Sequence, residues 1–448
     1  MKLPCYALLL ALSICSGFGI SIDPAFSKAI GWRSNVPPSI SLALQPDGKI
    51  LVAGSFDSID GRASPGVVRL NTNGQVDATF EVATNGVTQV DGVTFQSDGM
   101  IYLSGWFETP NKPVALLARF RHDGSRDDSF HGRGSLIGRF AALPDGKMLV
   151  TGDFSSLGGV SSPYLARFLP DGSVDACFLP PTKVDFSLSA HYANLHLLEG
   201  GKFLAAGFLG VTNNEVYNIH RFHFDGRLDT TFLADALEAG RVRESEIMPN
   251  GNIVFTTSRD DGLRRLNPDG SADRGFKQGA PGGGQQPLRF TVAPDGRIIC
   301  LLMRGLAGGP WRLQRLMPDG TPDPTLDVEI GPSDWLGEFP FATDMVTLPN
   351  GDVVIAGAFR KFNNEPAGGL VKVKGDLLTM VQRYRTAGES LELTIVGNNG
   401  SPYLVEGSTN LIQWVTVEQG TFTTNQVTLE LPTAAPAQFF RLRSGSRP

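Results

Sequence analysis

Seven copies of one phrase, six copies of a second phrase alternating with it, and a chain rich in turn formers predict an all-β fold. The expected architecture is a seven-bladed β-propeller closed by an N-terminal outer strand, followed by a small antiparallel β-sandwich module. The first phrase reads "LQPDGKILVAGSF", "FQSDGMIYLSGWF", "LPDGKMLVTGDF", "LEGGKFLAAGFL", "MPNGNIVFTTS", "APDGRIICLLM" and "LPNGDVVIAGAF". Its turn glycines are Gly48, Gly99, Gly146, Gly201, Gly251, Gly296 and Gly351, spaced by 51, 47, 55, 50, 45 and 55 residues. The second reads "VVRLNTNGQVDATF", "LARFRHDGSRDDSF", "LARFLPDGSVDACF", "IHRFHFDGRLDTTF", "LRRLNPDGSADRGF" and "LQRLMPDGTPDPTL". A seventh start, "LVKVKGDL" (Leu370 to Leu377), lacks the D-x-x-F ending, and "IDPAF" (Ile22 to Phe26) supplies one near the N-terminus. A last unit completed by the first residues is how a ring of blades avoids free sheet edges. An open solenoid needs capping repeats instead.

Each unit parses as four strands. In the first, A is about Ser39 to Gln45, B is Ile50 to Ser55, C is Val67 to Asn71 and D is about Val76 to Val82. Alternating apolar residues mark B and C. The A–B and C–D turns carry Asp-Gly or Asn-Gly, which tolerate the positive φ of tight hairpins. Phe80, Phe130, Phe178, Phe232 and Phe276 are expected to pack between neighbouring blades. The Asp three residues earlier, such as Asp77 or Asp175, is expected to bond backbone amides of the preceding turn.

Composition agrees with many short strands joined by turns. The 448 residues include 53 glycines and 30 prolines, charged residues are only 19%, and the net charge of −6 predicts no nucleic-acid partner. Met1-Lys2 and the apolar run "YALLLALSIC" (Tyr6 to Cys15) resemble a secretory signal, placed at residues 1–19. That run is too short to span a bilayer, and bulky Ile14 before Cys15 argues against a lipid anchor. Export to the cell envelope or beyond, with no membrane span after cleavage, is the expectation. Cys177 and Cys300 then remain, and both are expected to be small buried residues; their spacing does not establish a disulfide.

Over residues 20–377 the joint pattern L-x-P-D-G-K-[IM]-[LV]-[VA]-x-G-x-F with R-[LF]-x-x-[DN]-G-x-x-D-x-x-F resembles the delta-60 β-propeller repeat of secreted bacterial proteins. Units five and six depart from it by lacking G-x-F. The resemblance implies a propeller fold and brings no set of catalytic residues. From residue 378 the period stops, and "LELTIV", "YLVEGS", "WVTVEQGTF", "QVTLELP" and "FFRLR" read as five short strands. "YLVEGSTNLIQW" with "FFRLR" resembles a short C-terminal β-module of exported bacterial proteins, placed at 378–448.

The A–B and C–D turns share one face and are uniform, while the B–C and D–A loops share the other and read as differing between units. Binding residues concentrate on variable loops carried by a rigid scaffold. The loop-face candidates are Asp57, Arg62, Trp106, Glu108, Asp153, Tyr164, Asn214, Tyr217, Trp311, Arg312, Asn364 and Trp335. Aromatics beside carboxylates and amides suit stacking on sugars or gripping a peptide. A second set lies on inner strands, where an apolar core would exclude charge: Arg139, His191, His196, Arg243, Glu244, Glu246, Arg289 and Asp344. In a wet channel such groups pair with one another or form a site.

Other chemistries find little footing. "NPDGSAD" (Asn267 to Asp273) faintly resembles a calcium loop but lacks the D-x-D-x-D-G run and the distant Glu. Calcium has only this faint support, and no cofactor is expected. No H-E-x-x-H, C-x-x-C or G-x-S-x-G occurs, and "HRFH" points His220 and His223 to opposite faces of a strand. "PGGGQQP" (Pro281 to Pro287) precedes a strand, so it is not a phosphate loop. The resulting reading is an exported, monomeric, non-enzymatic propeller that recognises a glycan, a peptide or another envelope protein on its loop face. The alternative is a hydrolase or lyase, calcium-dependent lactonase-like or glycan-cleaving, at the channel mouth. It requires carboxylates from at least two blades to converge near the axis with raised pKa values or a metal.

Overall fold

The computed structural model describes residues 22–32, 39–64, 66–82, 87–107, 114–130, 132, 137–152, 154–162, 164–179, 184–185, 194–211, 215–232, 242–257, 262–277, 286–303, 311–331, 341–363, 365–373, 379–387, 390–396, 402–408, 415–423, 426–432 and 439–444. The chain divides into two compact units. One holds Ile22–Leu348 and Val354–Lys372; the other holds Pro349–Val353 and the residues from Val373 onward.

Among the described residues of the larger unit, seven antiparallel sheets of three or more strands follow one another along the chain, with a separate two-stranded hairpin, Ser156–Leu157 with Val160–Ser161. Sheet one consists of Ile40–Leu44, Ile50–Gly54 and Val67–Leu70. The innermost strands of the next six are Val87–Phe95, Ile137–Ala142, Asn194–Leu198, Val242–Ile247, Gln286–Val292 and Phe341–Thr347. Each lies against the next, and Phe341–Thr347 lies against Ile40–Leu44 of sheet one.

The middle strands are buried on both faces because each sheet is covered by two neighbours. Ile50 and Val52 pack with Val354, Ala356 and Leu370 of sheet seven, whereas Leu51 and Ala53 pack with Val93, Ile101 and Leu103 of sheet two. This is the period of two expected of a strand, with both faces apolar. The phenylalanines behave as expected. Phe80 lies between sheets one and two, Phe130 between two and three, Phe178 between three and four, and Phe232 and Phe276 between the following pairs. Phe26, from the N-terminal "IDPAF", lies between sheets seven and one.

The fourth strands are shorter than the sequence suggests. In sheet one, strand D is a single bridge, Leu70↔Val76, and four other sheets repeat this with Phe120↔Arg126, Phe168↔Val174, Phe222↔Leu228 and Leu266↔Ala272. The chain cannot continue as a strand because it turns at the Asp that follows. Phe80 N–H bonds Asp77 O, while the Asp77 carboxylate accepts from Thr79 N–H at 3.0 Å and Thr79 O–H at 2.6 Å. The Asp thus holds the turn that follows it, not the one before.

Its other oxygen meets an arginine from strand C. Arg69, Arg119, Arg167, Arg221, Arg265 and Arg315 donate Nε–H to Asp77, Asp127, Asp175, Asp229, Asp273 and Asp323 at 2.7–3.0 Å. The first five guanidinium carbons sit 4.5–5.0 Å from the centroids of Phe80, Phe130, Phe178, Phe232 and Phe276. The same five donate onward to a carbonyl of the next sheet: His122, Pro170, Phe224, Pro268 and Pro318. At the sixth position, buried Leu326 replaces phenylalanine.

The N-terminal segment takes this role for sheet seven. Lys28–Trp32 pairs with Gly369–Val373, Lys372 stands in for the arginine, and its ammonium lies 2.7 Å from Asp23 and 4.1 Å from the Phe26 centroid. Lys28–Trp32 also pairs on its other side with Phe56–Ile59 of the sheet-one loop. Sheet six uses its own long fourth strand, Pro322–Ile330, in the same way against Lys361–Phe362 of sheet seven.

Cys300 is buried, but Cys177 is exposed and both are free thiols. Cys177 occupies the turn position filled elsewhere by Thr79 or Ser129, where its N–H bonds Asp175 while its side chain faces solvent. In the smaller unit, one sheet orders Thr379–Ala387, Ser390–Val396 and Gln426–Pro432, and another orders Val415–Thr421, Pro402–Ser408 and Phe439–Ser444. Ile395, Tyr403, Val405 and Phe422 form its core. The strand Thr379–Ala387 was not among the five sequence-predicted runs.

Removing one member of a buried pair leaves an uncompensated charge, so Asp175→Ala is expected to cost about 3–5 kcal/mol. Asp171→Ala, removing exposed turn hydrogen bonds, should cost only about 1 kcal/mol. Urea denaturation of the two variants checks the ordering.

Candidate functional site

The described loop-face candidates lie on several different loops and strand ends. Three B–C loops are copies of a single hairpin: Phe56–Gly66, Phe154–Tyr164 and Phe359–Gly369. In each a tight turn has positive φ, at Asp60-Gly61 (49° and 74°), Gly158-Gly159 (54° and 82°) and Asn363 (52°). In each the same backbone bond closes the base: Ser64 N–H to Asp57 O, Ser162 N–H to Ser155 O, and Ala367 N–H to Arg360 O. The expectation that every unit's loop differs is therefore corrected. A hairpin register can persist through changed side chains when turn residues and small residues recur.

Asp57 and Arg62 are exposed on the first hairpin. Tyr164 has φ 65°, the position held by Gly66 and Gly369 in the sister loops, and packs on the core between sheets three and four. Trp106 is 39% exposed at the end of its strand. Trp311 is a core residue, corrected from a loop-face candidate, because the strand Trp311–Leu316 begins there and buries it. Arg312 makes a two-point ion pair with Asp327 at 2.8 and 2.6 Å. The backbone of Tyr217 pairs opposite Leu209. Glu108, Asp153, Asn214, Asn364, Trp335 and His191 lie outside the described residues.

The inner-strand candidates, in contrast, come together. Arg289 of sheet six donates to the Glu244 carboxylate of sheet five at 3.3 Å and to Thr343 O of sheet seven at 3.1 Å. The Asp344 carboxylate accepts from Leu42 N–H of sheet one at 2.8 Å and from Met345 N–H at 2.9 Å. Thr343 Oγ1 accepts from Ile40 N–H at 3.0 Å. On the other side, His196 Nε2 lies 2.9 Å from Ser245 Oγ, and Asn194 donates to Arg243 O at 3.4 Å. These bonds stitch neighbouring inner strands.

Arg139 and Glu246 differ from the rest. Neither side chain makes a hydrogen bond or ion pair with another side chain among the described residues, yet the Arg139 charge acts on Glu244, Glu246, Asp344 and His196. Arg139 belongs to sheet three, Glu244 and Glu246 to sheet five, and Asp344 to sheet seven, so the inner strands of three sheets bring these charges within range of one another. Glu244 and Glu246 are two apart on one strand, hence on one face and about 7 Å apart at Cβ.

Enclosure by protein raises the Glu246 carboxyl to about 8, with the Glu244 and Asp344 charges adding to it and Arg139 opposing. Burial also raises Glu244 and Asp344, moderated in Glu244 by Arg289 and Arg139 and in Asp344 by the Leu42 amide and both arginines. Burial lowers His196 to about 4, so its imidazole is neutral at pH 7. Glu246 is therefore a largely protonated acid beside two carboxyls that burial also raises and that neighbouring arginines and amides oppose.

Among the described residues, no group of three or more His, Cys, Asp or Glu side chains is placed to hold a metal. In "NPDGSAD" the oxygens are engaged in hydrogen bonds. Asp269 accepts from Ser271 N–H and O–H, Asp273 pairs with Arg265, and Asn267 donates to Ser271 Oγ. Both nitrogens of His220 are buried against Phe222, with burial lowering its pKa to about 4. No helix of the described residues is long and apolar enough to cross a membrane.

The shifted pKa values set opposite pH responses. Glu246 in the folded chain holds a proton that the unfolded chain releases near pH 4.5, so its contribution is present below that pH and lost as pH rises through 8. His196 resists a proton the unfolded chain accepts near pH 6.5, so stability falls as pH drops from 6.5 toward 4. Glu246→Gln is expected to raise the melting temperature at pH 8.5 by about 3–8 °C and to leave it unchanged near pH 4.5. Thermal melts across pH check both ends.

A family model described as a domain of unknown function (DUF5122) beta-propeller matches residues 45–80, 96–130, 143–178 and 250–276. No curated protein matches the sequence. Solved structures similar to it include a streptogramin B lyase, at 14% identity and TM-score 0.47, covering 78% of this chain and 96% of that one. YCF48 bound to D1 peptide is similar at 14% identity and TM-score 0.39, covering 70% and 89%. The gluconolactonase XC5397 from Xanthomonas campestris follows at 12% identity and TM-score 0.34, covering 78% and 87%. With its recurring sheets and matched repeats, the chain is a β-propeller repeat protein.

Proposed function

We propose an exported, closed seven-bladed propeller of the delta-60 type that takes a small, acidic, hydroxyl-rich ligand of glycan origin into its central channel. Seven sheets, the pairing of Lys28–Trp32 with Gly369–Val373, and the shared core of sheets seven and one support the closed ring. Export rests on the signal-like residues 1–19, and the module from 378 keeps its likeness to C-terminal modules of exported proteins.

The observation that carries the ligand reading is the Arg139–Glu246 couple. Every other charged candidate with a described side chain on the inner strands is engaged with a neighbouring strand or with a partner. Arg139 retains a planar set of donors suited to a carboxylate, and Glu246 offers a proton donor to a hydroxyl or an ether oxygen. The channel is favoured over the loop face because three loops are one hairpin and Trp311 and Arg312 are engaged.

A second reading, hydrolysis or elimination, is favoured by the same Glu246. A protonated carboxyl near two further carboxyls, Glu244 and Asp344, is the kind of grouping that general acid–base cleavage of a glycosidic or lactone bond uses. In that reading Glu246 would give its proton to the leaving oxygen.

The test is calorimetric titration of the mature protein with uronic-acid oligosaccharides and with neutral oligosaccharides of equal length. Acidic ligands should bind, Arg139→Ala should weaken them by about tenfold or more, as expected for a lost charged hydrogen bond, and Asp57→Ala should change nothing. Binding that ignores Arg139→Ala, or no binding at all, rejects the channel reading. Product formation that Glu246→Gln abolishes while binding persists identifies the enzyme.

A further inference from the structure

The N-terminal segment 22–32 is bound as a guest strand. On one side Asp23 N–H bonds Lys372 O at 2.9 Å and Ile30 N–H bonds Gly368 O at 2.8 Å. On the other, Ala29 N–H bonds the Asp60 carboxylate at 2.8 Å and Asp60 N–H bonds Ala29 O at 2.7 Å. Ion pairs Lys372–Asp23 and Lys28–Asp60, at 2.7 and 3.1 Å, fix its register, and Phe26 fills the core between sheets. The receptor is shaped for it. A Cβ on Gly368 would collide with Lys28 O and lie 2.5 Å from Ala29 Cα, and one on Gly74 would lie 2.5 Å from Ala25 O.

The backbone hydrogen bonds and ion pairs that hold this strand come from residues 56–60 and 368–373, Phe26 packs in a core with Ile40, Leu42, Val354 and Ala356, and the segment runs on to the first strand of sheet one through residues 33–38. The corresponding strand of sheet six, Pro322–Ile330, follows its partner Trp311–Leu316 through a tight turn and has no such freedom. Residues 33–38 read RSNVPP. Exchange of an identical element between protomers is a low-cost route to a dimer when the element sits in a slot built for it.

We propose that segment 22–32 is an exchangeable strand: the slot between Gly369–Val373 and Phe56–Ile59 accepts it from a second copy of this chain. The protein then interconverts between a self-clasped monomer and a reciprocal strand-exchanged dimer. Both forms make the same contacts, so concentration and the opening rate decide between them.

The test uses two full-length charge variants, Asp23→Lys and Lys372→Asp. Each places like charges in its own slot. In an equimolar mixture, the lysine introduced at position 23 of one copy meets the aspartate introduced at position 372 of the other. The native Asp23 of the second copy meets the native Lys372 of the first, so both slots are matched only in the heterodimer. Light scattering after size-exclusion should show a species of twice the chain mass, at least tenfold enriched over either variant alone. The double variant in one chain should return to monomer. Because a single variant could fail to fold, donor- and acceptor-labelled wild-type chains are also mixed at high concentration in sub-denaturing urea and then diluted. Energy transfer in a dimer fraction, or folding of the variants only when mixed, supports exchange. Absence of a heterodimer together with absence of transfer in the wild-type mixture overturns it.

Discussion

The arginine of strand C is the interaction on which the propeller depends. In one side chain it neutralises the Asp that shapes the following turn, lies over the phenylalanine that fills the inter-sheet core, and donates to the next sheet's carbonyl. Three levels of structure meet there: the turn, the apolar interface and the register of one sheet against the next. The pair is nearly dry at Arg167–Asp175, where both side chains are 8% exposed. The Asp77 and Asp229 carboxylates show the effect of such partners. Burial pulls Asp77 upward, but hydrogen bonds from Thr79, Lys49 and Arg69 outweigh it and hold the group well below the carboxylate range. Asp229 behaves likewise, through Lys202, Thr231 and Arg221.

That clamp also explains the truncated fourth strands. Once the Asp accepts from the residue two ahead, the chain bends and cannot hold a ladder, so one bridge remains. The two long fourth strands occur where the clamp is altered. At sheet six the terminal Phe becomes Leu326, and at sheet seven lysine replaces arginine and the strand arrives from the N-terminus. The polarity of the inner strands serves the same end from the other side. Glu244, Arg289, Thr343 and Asp344 link sheets five, six, seven and one in sequence, leaving Arg139 and Glu246 as groups whose chemistry is not consumed by assembly.

The repeat phrase made much of this legible. "IDPAF" was recognisable as a missing unit ending because D-x-x-F is a compact signature, and Asp23 and Phe26 occupy those roles. The hairpins Phe56–Gly66, Phe154–Tyr164 and Phe359–Gly369 escaped because the loops of the intervening units read differently, and the third keeps the backbone geometry while sharing few side chains with the first two. Asp60-Gly61, Gly158-Gly159 and Asn363 satisfy the same positive-φ turn, and Gly66, Tyr164 and Gly369 the same left-handed residue. Trp311 looked like a loop aromatic because nothing local distinguishes a strand's first residue from a loop's last one.

By itself the sequence determined the repeat, the strand class, the turn chemistry, the inter-sheet phenylalanines and the set of inner-strand charges, because each depends on local pattern and on a period of two. Only the tertiary structure decided which charges are partners. Arg69 reaches a carbonyl 53 residues ahead, and the carboxylate of Asp344 takes the amide of Leu42, 302 residues away. Such pairings arise from the stacking of sheets, as does the raised pKa of Glu246, since burial and the field of neighbouring charges come from residues far apart in the chain.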